Sequence, residues 1–396
     1  MLSRYLLYAI RATAHHLERQ ATGTTFSAIN GSQLRDHRLP LALLAEQQRI
    51  VEKIEELFSD LDAGTESLKR AKSSLVRYRA SVLKAAVEGR LTEEWRKKHP
   101  QTENGQMLLN RILRERREKW ERDQLAGFAA KRKEPPTNWQ TKYEEPAVPD
   151  VSELAELPKG WAWCTTHHCL FIDVGFAFKS TAYANEGNRL LRGENIEPGA
   201  LRWNDVRYWP TNRVSEHENL LLREGDIVLA MDRPLVSAGL KIARVRASDL
   251  PCLLVQRMAR LRTAQETNTA FLYIAMRTPR FISHLLGEQQ GTQLPHISGS
   301  SVQAYAFPFP PLAEQDEIVR LVEERLSQID AAEVTINAEL IRSKKLRQGI
   351  LKQAFEGRLI SQDPANEAAS AMLERIRISR AKDQQTKPIG AGRRMK

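Results

Sequence analysis

The stretch LAEQQRIVEKIEELFSDLDAGTESLKRAKSSLVRYRASVLKAAVEGRL at residues 44–91 occurs again as LAEQDEIVRLVEERLSQIDAAEVTINAELIRSKKLRQGILKQAFEGRL at residues 312–359. The two copies align without a gap at a constant offset of 268 residues, and 19 of their 48 positions are identical. A duplication of this length predicts two structural elements of the same kind in one chain.

Each copy is predicted to form one long helix. Apolar residues recur in steps of four and three, which is the heptad spacing of a coiled coil, and no proline interrupts either copy. Gly89 follows the last predicted turn, where helices commonly end. About 44 residues at about 1.5 Å each give a helix of roughly 65 Å, which cannot bury its apolar stripe alone, so the two copies are expected to pack together. The predicted interface consists of Ile50, Ile54, Leu57, Leu61, Leu68, Leu75, Val82, Ile318, Val322, Ile329, Ile336, Leu346 and Ile350.

The repeat extends upstream of the helices. FLYIAMR at 271–277 matches YLLYAIR at 5–11, and Ile29 and Pro40 recur as Ile297 and Pro308. Residues 1–43 are therefore expected to be the C-terminal part of a first domain whose second example, residues 157–311, is complete.

The remaining segments differ in character. Residues 92–156 are predicted to hold a short basic helix and an extended linker rich in proline and charge at 131–150. The domain at 157–311 is predicted to be α/β (α+β), with a helix at 271–287. Its predicted strands are RLLRGENI at 189–196, GDIVLAMD at 225–232, GLKIARVR at 239–246 and LLVQRMARLR at 253–262. Residues 360–396 are predicted to form a basic helix and a disordered tail.

Composition narrows the class of protein. The 396 residues include 60 Lys and Arg against 49 Asp and Glu, a net charge of +11. This excess fits either a well-solvated surface or a polyanionic partner such as DNA. Three cysteines are too few for a disulfide framework and fit a reducing cytoplasm. No apolar run approaches the length of a membrane span, so no membrane association is predicted.

Motifs for catalysis are missing from the sequence. It contains no GxxxxGK[ST] phosphate loop, no GxGxxG turn and no Asn-Pro-Pro-aromatic segment of the kind that amino-methyltransferases use. The cluster CTTHHC at 164–169 does not have the spacing of a standard zinc pair, and the only other cysteine is Cys252, so no metal site is predicted.

These motifs resemble the DNA-specificity subunits of type I restriction–modification enzymes. The resemblance rests on PLALLAEQQRIVEKIEELFSDLD with KAAVEGRLT, on FPFPPLAEQDEIVRLVEERLSQID with KQAFEGRL, and on LPKGW at 157–161 and GTQLPHISGSS at 291–301. It covers nearly the whole chain.

The resemblance implies a non-catalytic subunit of a prokaryotic, cytoplasmic complex. In that family two target-recognition domains alternate with two long antiparallel helices, which space the domains, and each domain reads one half of a split double-stranded DNA site. The helices also dock methyltransferase subunits, and the complex recruits restriction/translocase subunits. S-adenosylmethionine, ATP and Mg would then belong to partner subunits, and this chain is expected to bind no cofactor.

This sequence departs from the family pattern in its first recognition domain, of which only about 43 residues match. The chain is expected to pair with a second copy, to be completed by a separate recognition domain, or to be an inactive remnant. A coiled-coil scaffold without a DNA role is the alternative from a different class.

Base edges are best distinguished by Arg, Lys, Asn and Gln side chains, so polar residues in the predicted turns of 157–311 are the DNA-reading candidates. Each one alone is also explained as an ordinary exposed polar residue. The candidates are Lys179, Ser180, Arg192, Asn195, Arg233, Gln290, Thr292, Gln293 and His296.

Overall fold

A computed structural model describes residues 2–21, 28–100, 102–152, 154–264, 266–287, 296–361 and 369–385. The chain forms two compact units. The first, here called the helical unit, comprises residues 1–75 and 330–396, and the second, the sheet unit, comprises residues 76–329.

The fold mixes helices and strands, as the sequence predicts. The α-helices are α1 Ser3–Gln20, α2 Gly31–Asp36, α3 Leu44–Val87, α4 Glu93–Lys98, α5 Gly105–Ala130, α6 Thr166–Cys169, α7 Thr269–Ala275, α8 Pro279–Leu286, α9 Gly299–Gln303, α10 Leu312–Phe355 and α11 Ala369–Gln385. The strands are β1 Ala162–Thr165, β2 Leu170–Val174, β3 Asn188–Leu191, β4 Ile196–Glu197, β5 Ala200–Leu201, β6 Tyr208–Trp209, β7 Ile227–Ala230, β8 Leu235–Val236, β9 Gly239–Leu240, β10 Ile242–Arg244, β11 Cys252–Leu254, β12 Met258–Thr263 and β13 Ala306–Phe309. Among the described helices, none has the length and apolar character needed to cross a membrane.

Both copies of the duplicated stretch form single helices of 44 residues, α3 and α10. Within the helical unit the two helices run antiparallel, because rising numbers on α3 meet falling numbers on α10. The hydroxyls of Thr65 and Ser343 lie 3.0 Å apart, and the Lys72 ammonium donates to Asn337 Oδ1 at 2.8 Å. The fold class predicted from the heptad pattern and the mixed domain is confirmed.

The buried positions of the long helices follow the heptad only in part. Seven predicted positions are buried, namely Ile50, Ile54, Val82, Ile318, Val322, Ile329 and Ile336. Leu57, Leu61, Leu68, Leu75 and Ile350 are half-buried. Leu346, in contrast, is 48% exposed, and its neighbour Arg347 instead lays its guanidinium over the ring of Phe58, 4.2 Å from the centroid. The heptad pattern did not predict Phe58 or Leu351, both of which are buried here.

The repeat is visible in the hydrogen bonds at the start of each long helix. The amide of Gln47, at the start of α3, donates to the Ala42 carbonyl at 2.7 Å, and its Oε1 accepts the Leu2 N–H at 3.0 Å. The matching Gln315 of α10 donates to the Pro310 carbonyl at 2.9 Å and accepts the Asn268 N–H at 3.2 Å. Each of these buried amides joins a long helix to the chain that precedes it.

The glycines of the two Glu-Gly-Arg-Leu motifs also match. Gly89 and Gly357 both have φ of 71°, the left-handed conformation that ends a helix and that other residues adopt at a cost. The two long helices therefore end by the same device.

The sheet unit is built on a four-stranded antiparallel sheet of order β10-β7-β12-β2 and a three-stranded sheet of order β11-β3-β6, in which β11 and β3 are parallel. A separate antiparallel pair joins β1 to β13, immediately before α10. One apolar core lies between the four-stranded sheet and the helices and includes Leu170, Phe271 and Ile318. A second core, including Leu190 and Leu253, lies between the sheets.

A buried carboxylate fixes the start of α10 in the sheet unit. Glu314 is 1% exposed, and its Oε2 accepts the indole N–H of Trp161 at 2.9 Å. Its Oε1 accepts the Thr92 hydroxyl at 2.7 Å and Nε of Arg96 at 2.9 Å. The LPKGW and LAEQ motifs therefore meet at one hydrogen-bonded centre.

Five segments differ from the sequence predictions. The predicted strand 239–246 is two strands in different sheets, β9 and β10. The predicted helix 271–287 is two helices, α7 and α8, because Pro279 begins a new helix. Residues 189–196 are not one strand, because a short 3-10 turn at Gly193–Asn195 separates β3 from β4. The predicted strand 253–262 is likewise two strands, β11 and β12, joined by a tight turn. The predicted linker at 131–150 packs on α5 through Trp139. The Trp139 ring stacks on the Trp120 ring, with 5.7 Å between their centroids, because burying aromatic surface stabilises the fold.

Candidate nucleic-acid interface

The ends of several strands meet at one edge of the sheet unit. β12 pairs antiparallel with β7 and β2, with Met258 opposite Ala230 and Ala259 opposite Val174, so β12 begins where the other two end. β11 runs parallel to β3 and turns directly into β12, so the ends of β3 and β11 lie there too. The segments 175–182, 192–195, 231–241 and 255–257, together with His296, are here called the loop edge.

The loop after β7 carries a cluster of charged side chains. Asp232 pairs with Arg257 at 2.9 Å and with His296, whose backbone forms a β-bridge with that of Asp232. Arg233, next in sequence, is exposed and has φ of 47°. No hydrogen bond or ion pair joins its guanidinium to the part of the chain that the structure describes. The predicted residues Arg233 and His296 are thus brought to the same loop cluster, where Arg233 is exposed.

The loop after β3 has a different role from the one predicted for it. Asn195 is 1% exposed, and its amide donates to the carbonyls of Arg202 at 3.0 Å and Asp205 at 3.2 Å while its oxygen accepts the Arg192 N–H. These bonds use both donors, so the prediction that Asn195 faces a base is replaced by a role in closing the turn. The Arg192 guanidinium is held by the carboxylates of Asp205, at 2.9 Å, and Glu194.

The remaining predicted residues fall in two groups. Lys179 and Ser180 are exposed in the loop after β2, which begins at the loop edge because Phe176 bridges Val255. Gln290, Thr292 and Gln293 lie outside the described residues, so their assignment to DNA stays a prediction.

Three residues at the loop edge were not predicted from sequence. Gln256 and Arg257 form the exposed turn between β11 and β12, and the Gln256 N–H donates to the Phe176 carbonyl at 2.8 Å. Phe176 is 48% exposed and lies beside this turn, with its ring 4.7 Å from that of His217. The polar pair Gln-Arg inside the apolar run LLVQRMARLR was the available signal, because two polar residues in succession interrupt a buried strand.

The loop edge combines positive charge with exposed hydrogen-bond donors. Lys179, Arg233 and Arg257 are exposed there, and burial lowers the pKa of Lys241 from its usual range. Guanidinium and amide groups can donate to base edges, ammonium groups to phosphates, and an exposed aromatic ring can stack on a base. Such a surface can bind and distinguish nucleic acid.

The CTTHHC cluster is part of the protein interior. Cys164 and Cys169 are buried with sulfurs 3.6 Å apart, and burial raises the pKa of Cys164. His168 Nδ1 accepts a hydrogen bond from the Thr165 N–H at 3.1 Å, and burial lowers the pKa of His168 to about 4. Across the described ranges, no group of three or more His, Cys, Asp or Glu side chains is arranged to hold a metal ion.

Comparison with known proteins shows which family the chain resembles. Residues 204–342 match the family model described as "Type I restriction modification DNA specificity domain". The EcoAI specificity subunit of Escherichia coli is 33% identical over 286 residues, covering 72% of this chain and 45% of that protein. The EcoDI specificity subunit of E. coli is 25% identical over 398 residues, covering 96% of this chain and 77% of that protein.

A third relative and a solved structure agree with this result. The MjaVIII specificity subunit of Methanocaldococcus jannaschii is 27% identical, covering 52% of this chain and 48% of that protein. The chain thus spans about half the length of the EcoAI and MjaVIII subunits. A chain from a structural study of complex assembly and conformational transition of the type I R-M system matches with a TM-score of 0.59 and 19% identity, covering 90% of this chain and 71% of that chain. At this identity the likeness supports the fold alone.

Residues 204–342, which the family model matches, include the loop-edge segments 231–241 and 255–257. The chain belongs to the family of type I restriction–modification specificity subunits, as the repeated motifs predict.

Proposed function

We propose that the chain reads one half of a bipartite double-stranded DNA site through the loop edge. The observation that carries this proposal is the convergence of four loops on one edge, where Arg233, Gln256 and Arg257 are exposed and Arg257 is held by an exposed ion pair. A specificity subunit recognises DNA sequence and leaves the chemistry to its partners.

Guanidinium and amide side chains are best suited to distinguish one base from another in the major groove. Arg donates two hydrogen bonds to guanine and Gln pairs with adenine, each worth about 1–3 kcal/mol against the wrong base. The ion pair of Arg257 with Asp232 is exposed and therefore weak, so it can be exchanged for a base contact at little cost.

The long helices would space this domain from a second one and dock methyltransferase subunits. Their length supports the spacer role, because 44 residues at about 1.5 Å each give roughly 65 Å, about the length of 19 base pairs at about 3.4 Å. Adenine methylation with S-adenosylmethionine would occur in those subunits, and ATP and Mg would serve restriction/translocase subunits. The chain itself would bind no cofactor and would act in the prokaryotic cytoplasm.

The second half-site needs a second recognition domain. Either a second copy of this chain or a separate complementing domain would supply it. The two arrangements predict different target sites, since a second copy reads two identical halves.

The test uses the chain assembled with type I methyltransferase subunits and a library of DNA fragments. We expect a selected bipartite sequence, with affinity that falls steeply as salt rises because phosphate contacts release counterions. Arg257→Ala should reduce the preference for the selected sequence by roughly 5- to 150-fold, which corresponds to about 1–3 kcal/mol.

Arg320→Ala is the matched control, since Arg320 is an exposed arginine on α10 rather than on the loop edge. It should leave the preference unchanged. An assembly that shows neither sequence preference nor salt dependence would favour a coiled-coil scaffold or an inactive remnant instead.

A further inference from the structure

Helix α5 lies beside β2, the edge strand of the four-stranded sheet. Its Arg111 pairs at 2.8 Å with Glu266, which follows the end of β12. Further along α5, Arg116 donates to the carbonyl of Leu170, the first residue of β2, at 3.1 Å. Because β12 ends where β2 begins, both contacts lie at the end of the sheet opposite the loop edge.

The next turns of α5 advance toward the loop edge in the same direction as β2. Asp123 of α5 and Asp173 of β2 line one cavity of about 580 Å³. From Arg116 to Asp123 the helix advances roughly 10 Å at about 1.5 Å per residue, and from Leu170 to Asp173 the strand advances roughly 10 Å at about 3.3 Å per residue. β2 ends one residue after Asp173, whereas α5 continues to Ala130. The C-terminal end of α5 therefore reaches the loop-edge side of the sheet unit.

The chain then turns back along α5. The ring of Phe128 lies 6.3 Å from that of Trp139, and the ring of Trp120 lies 5.3 Å from that of Tyr143. Rising numbers in the returning segment meet falling numbers on α5, so the two form a hairpin that is held by buried aromatic surface. The turn of this hairpin is Lys-Arg-Lys-Glu at residues 131–134, here called the basic tip.

The basic tip carries an excess of positive charge. On the helix itself, cations face carboxylates one turn away, and Lys119 pairs with Asp123 at 2.7 Å. The tip has three cations and one carboxylate, a net charge of +2, and all four of its side chains are exposed. Phosphate oxygens accept hydrogen bonds from Lys and Arg, so an exposed basic turn on the loop-edge side has the chemistry of a DNA-backbone contact.

We propose that the basic tip binds phosphates of the DNA backbone beside the half-site that the loop edge reads. This inference rests on the proposed function and adds to it a contact that does not depend on base sequence. Phosphate contacts fix the position of a protein on the duplex, whereas base contacts supply the sequence preference. The tip would hold the recognition domain on DNA without choosing the sequence.

The test compares two triple variants of the chain, each assembled with type I methyltransferase subunits. The tip variant replaces three cations of the tip with glutamine: Lys131→Gln, Arg132→Gln and Lys133→Gln. The matched control makes the same change at three exposed lysines: Lys97→Gln, Lys98→Gln and Lys159→Gln. Lys97 and Lys159 line one cavity with Asn104, whose side chain caps the start of α5, so the control charges lie at the other end of this helix.

Affinity is measured against salt concentration by fluorescence anisotropy, on the duplex that the assembly selects and on a scrambled duplex of the same length. Each phosphate contact adds about 0.9 to the slope of log affinity against log salt. We expect the tip variant to reduce this slope by about 2 to 3 on both duplexes and to leave the ratio of the two affinities within about twofold of wild type. The control variant should keep the wild-type slope.

A tip variant with the same slope as the control on both duplexes would overturn the proposal. A loss confined to the selected duplex would also overturn it, because the tip would then contact bases. An assembly without sequence preference would contradict the DNA-reading proposal yet still give a slope on the scrambled duplex, so the two proposals can fail separately.

Cross-linking identifies what the basic tip contacts. All three native cysteines are buried, so Arg132→Cys supplies one exposed thiol for a photoactivatable label, and Lys98→Cys is the control. We expect the label at position 132 to cross-link to DNA and the label at position 98 not to do so. A label at position 132 that cross-links only to a methyltransferase subunit would overturn the proposal, because the tip would then bind protein.

Discussion

Replacing Glu314 with alanine should destabilise the sheet unit more than any ordinary surface change. The carboxylate is 1% exposed and accepts three hydrogen bonds, from Trp161, Thr92 and Arg96. Removing it leaves a buried indole N–H without an acceptor and leaves the Arg96 side chain, 19% exposed, without its carboxylate partner. Breaking a buried ion pair in this way lowers the free energy of unfolding by about 3–5 kcal/mol.

Conservative replacement should recover part of this loss. Glu314→Gln keeps one acceptor oxygen but removes the charge. We expect it to lower the free energy of unfolding by about 1.5–3 kcal/mol, which is the contribution of a hydrogen bond to a charged group. Glu324→Ala on the same helix is the control, because its pairing with Arg320 is exposed and worth about 0.3–0.5 kcal/mol.

Urea unfolding followed by circular dichroism and tryptophan fluorescence measures these differences. The expected order of midpoints is wild type and Glu324→Ala, then Glu314→Gln, then Glu314→Ala. If Glu314→Ala unfolds within about 1 kcal/mol of wild type, the three hydrogen bonds to the carboxylate do not stabilise the sheet unit as proposed, because loss of a buried carboxylate should cost more than loss of a surface pair.

Three further predictions concern the packing and the buried histidine. Leu351→Ala should lower the free energy of unfolding by about 2–4 kcal/mol and Leu346→Ala by less than about 0.5 kcal/mol in chemical denaturation, because only Leu351 is buried. Gly105→Ala should cost about 1–3 kcal/mol in the same assay, since a Cβ there would lie 2.2 Å from the Phe309 carbonyl oxygen; a neutral result would contradict that geometry. Burial lowers the native pKa of His168 to about 4 from 6.5, so the unfolded chain binds the proton more readily and stability should decline as pH falls from about 6.5 to about 4. His168→Gln should flatten that part of the stability–pH curve.

The helical part of the fold could be predicted from sequence because its signals are local. Heptad spacing and the glycine after each helix predicted two long helices, and each is 44 residues long in the structure. Heptad spacing could not show that Arg347 would cover Phe58, because that contact joins residues nearly 300 positions apart and depends on how the two helices meet.

The candidate site was predictable only as a group of loops. Polar residues after apolar runs identified Lys179 and Arg233, which lie on the loop edge, but polarity did not show that Asn195 would turn inward to satisfy two carbonyls. Gln256 and Arg257 were missed because the flanking apolar residues of β11 and β12 read as one continuous strand. The polar Gln256–Arg257 pair was the one local signal that this run is interrupted by a turn.

Genome-wide mapping of adenine methylation tests in cells whether the loop edge reads the DNA sequence. The chain, or its Arg233→Ala and Arg257→Ala variants, would be co-expressed with type I methyltransferase subunits, with Arg320→Ala as control. We expect a bipartite methylated motif in which the loop-edge variants relax base identity in the half read by this domain, while the control leaves the motif unchanged. A motif identical in wild type and both loop-edge variants would contradict the claim that the loop edge reads the sequence.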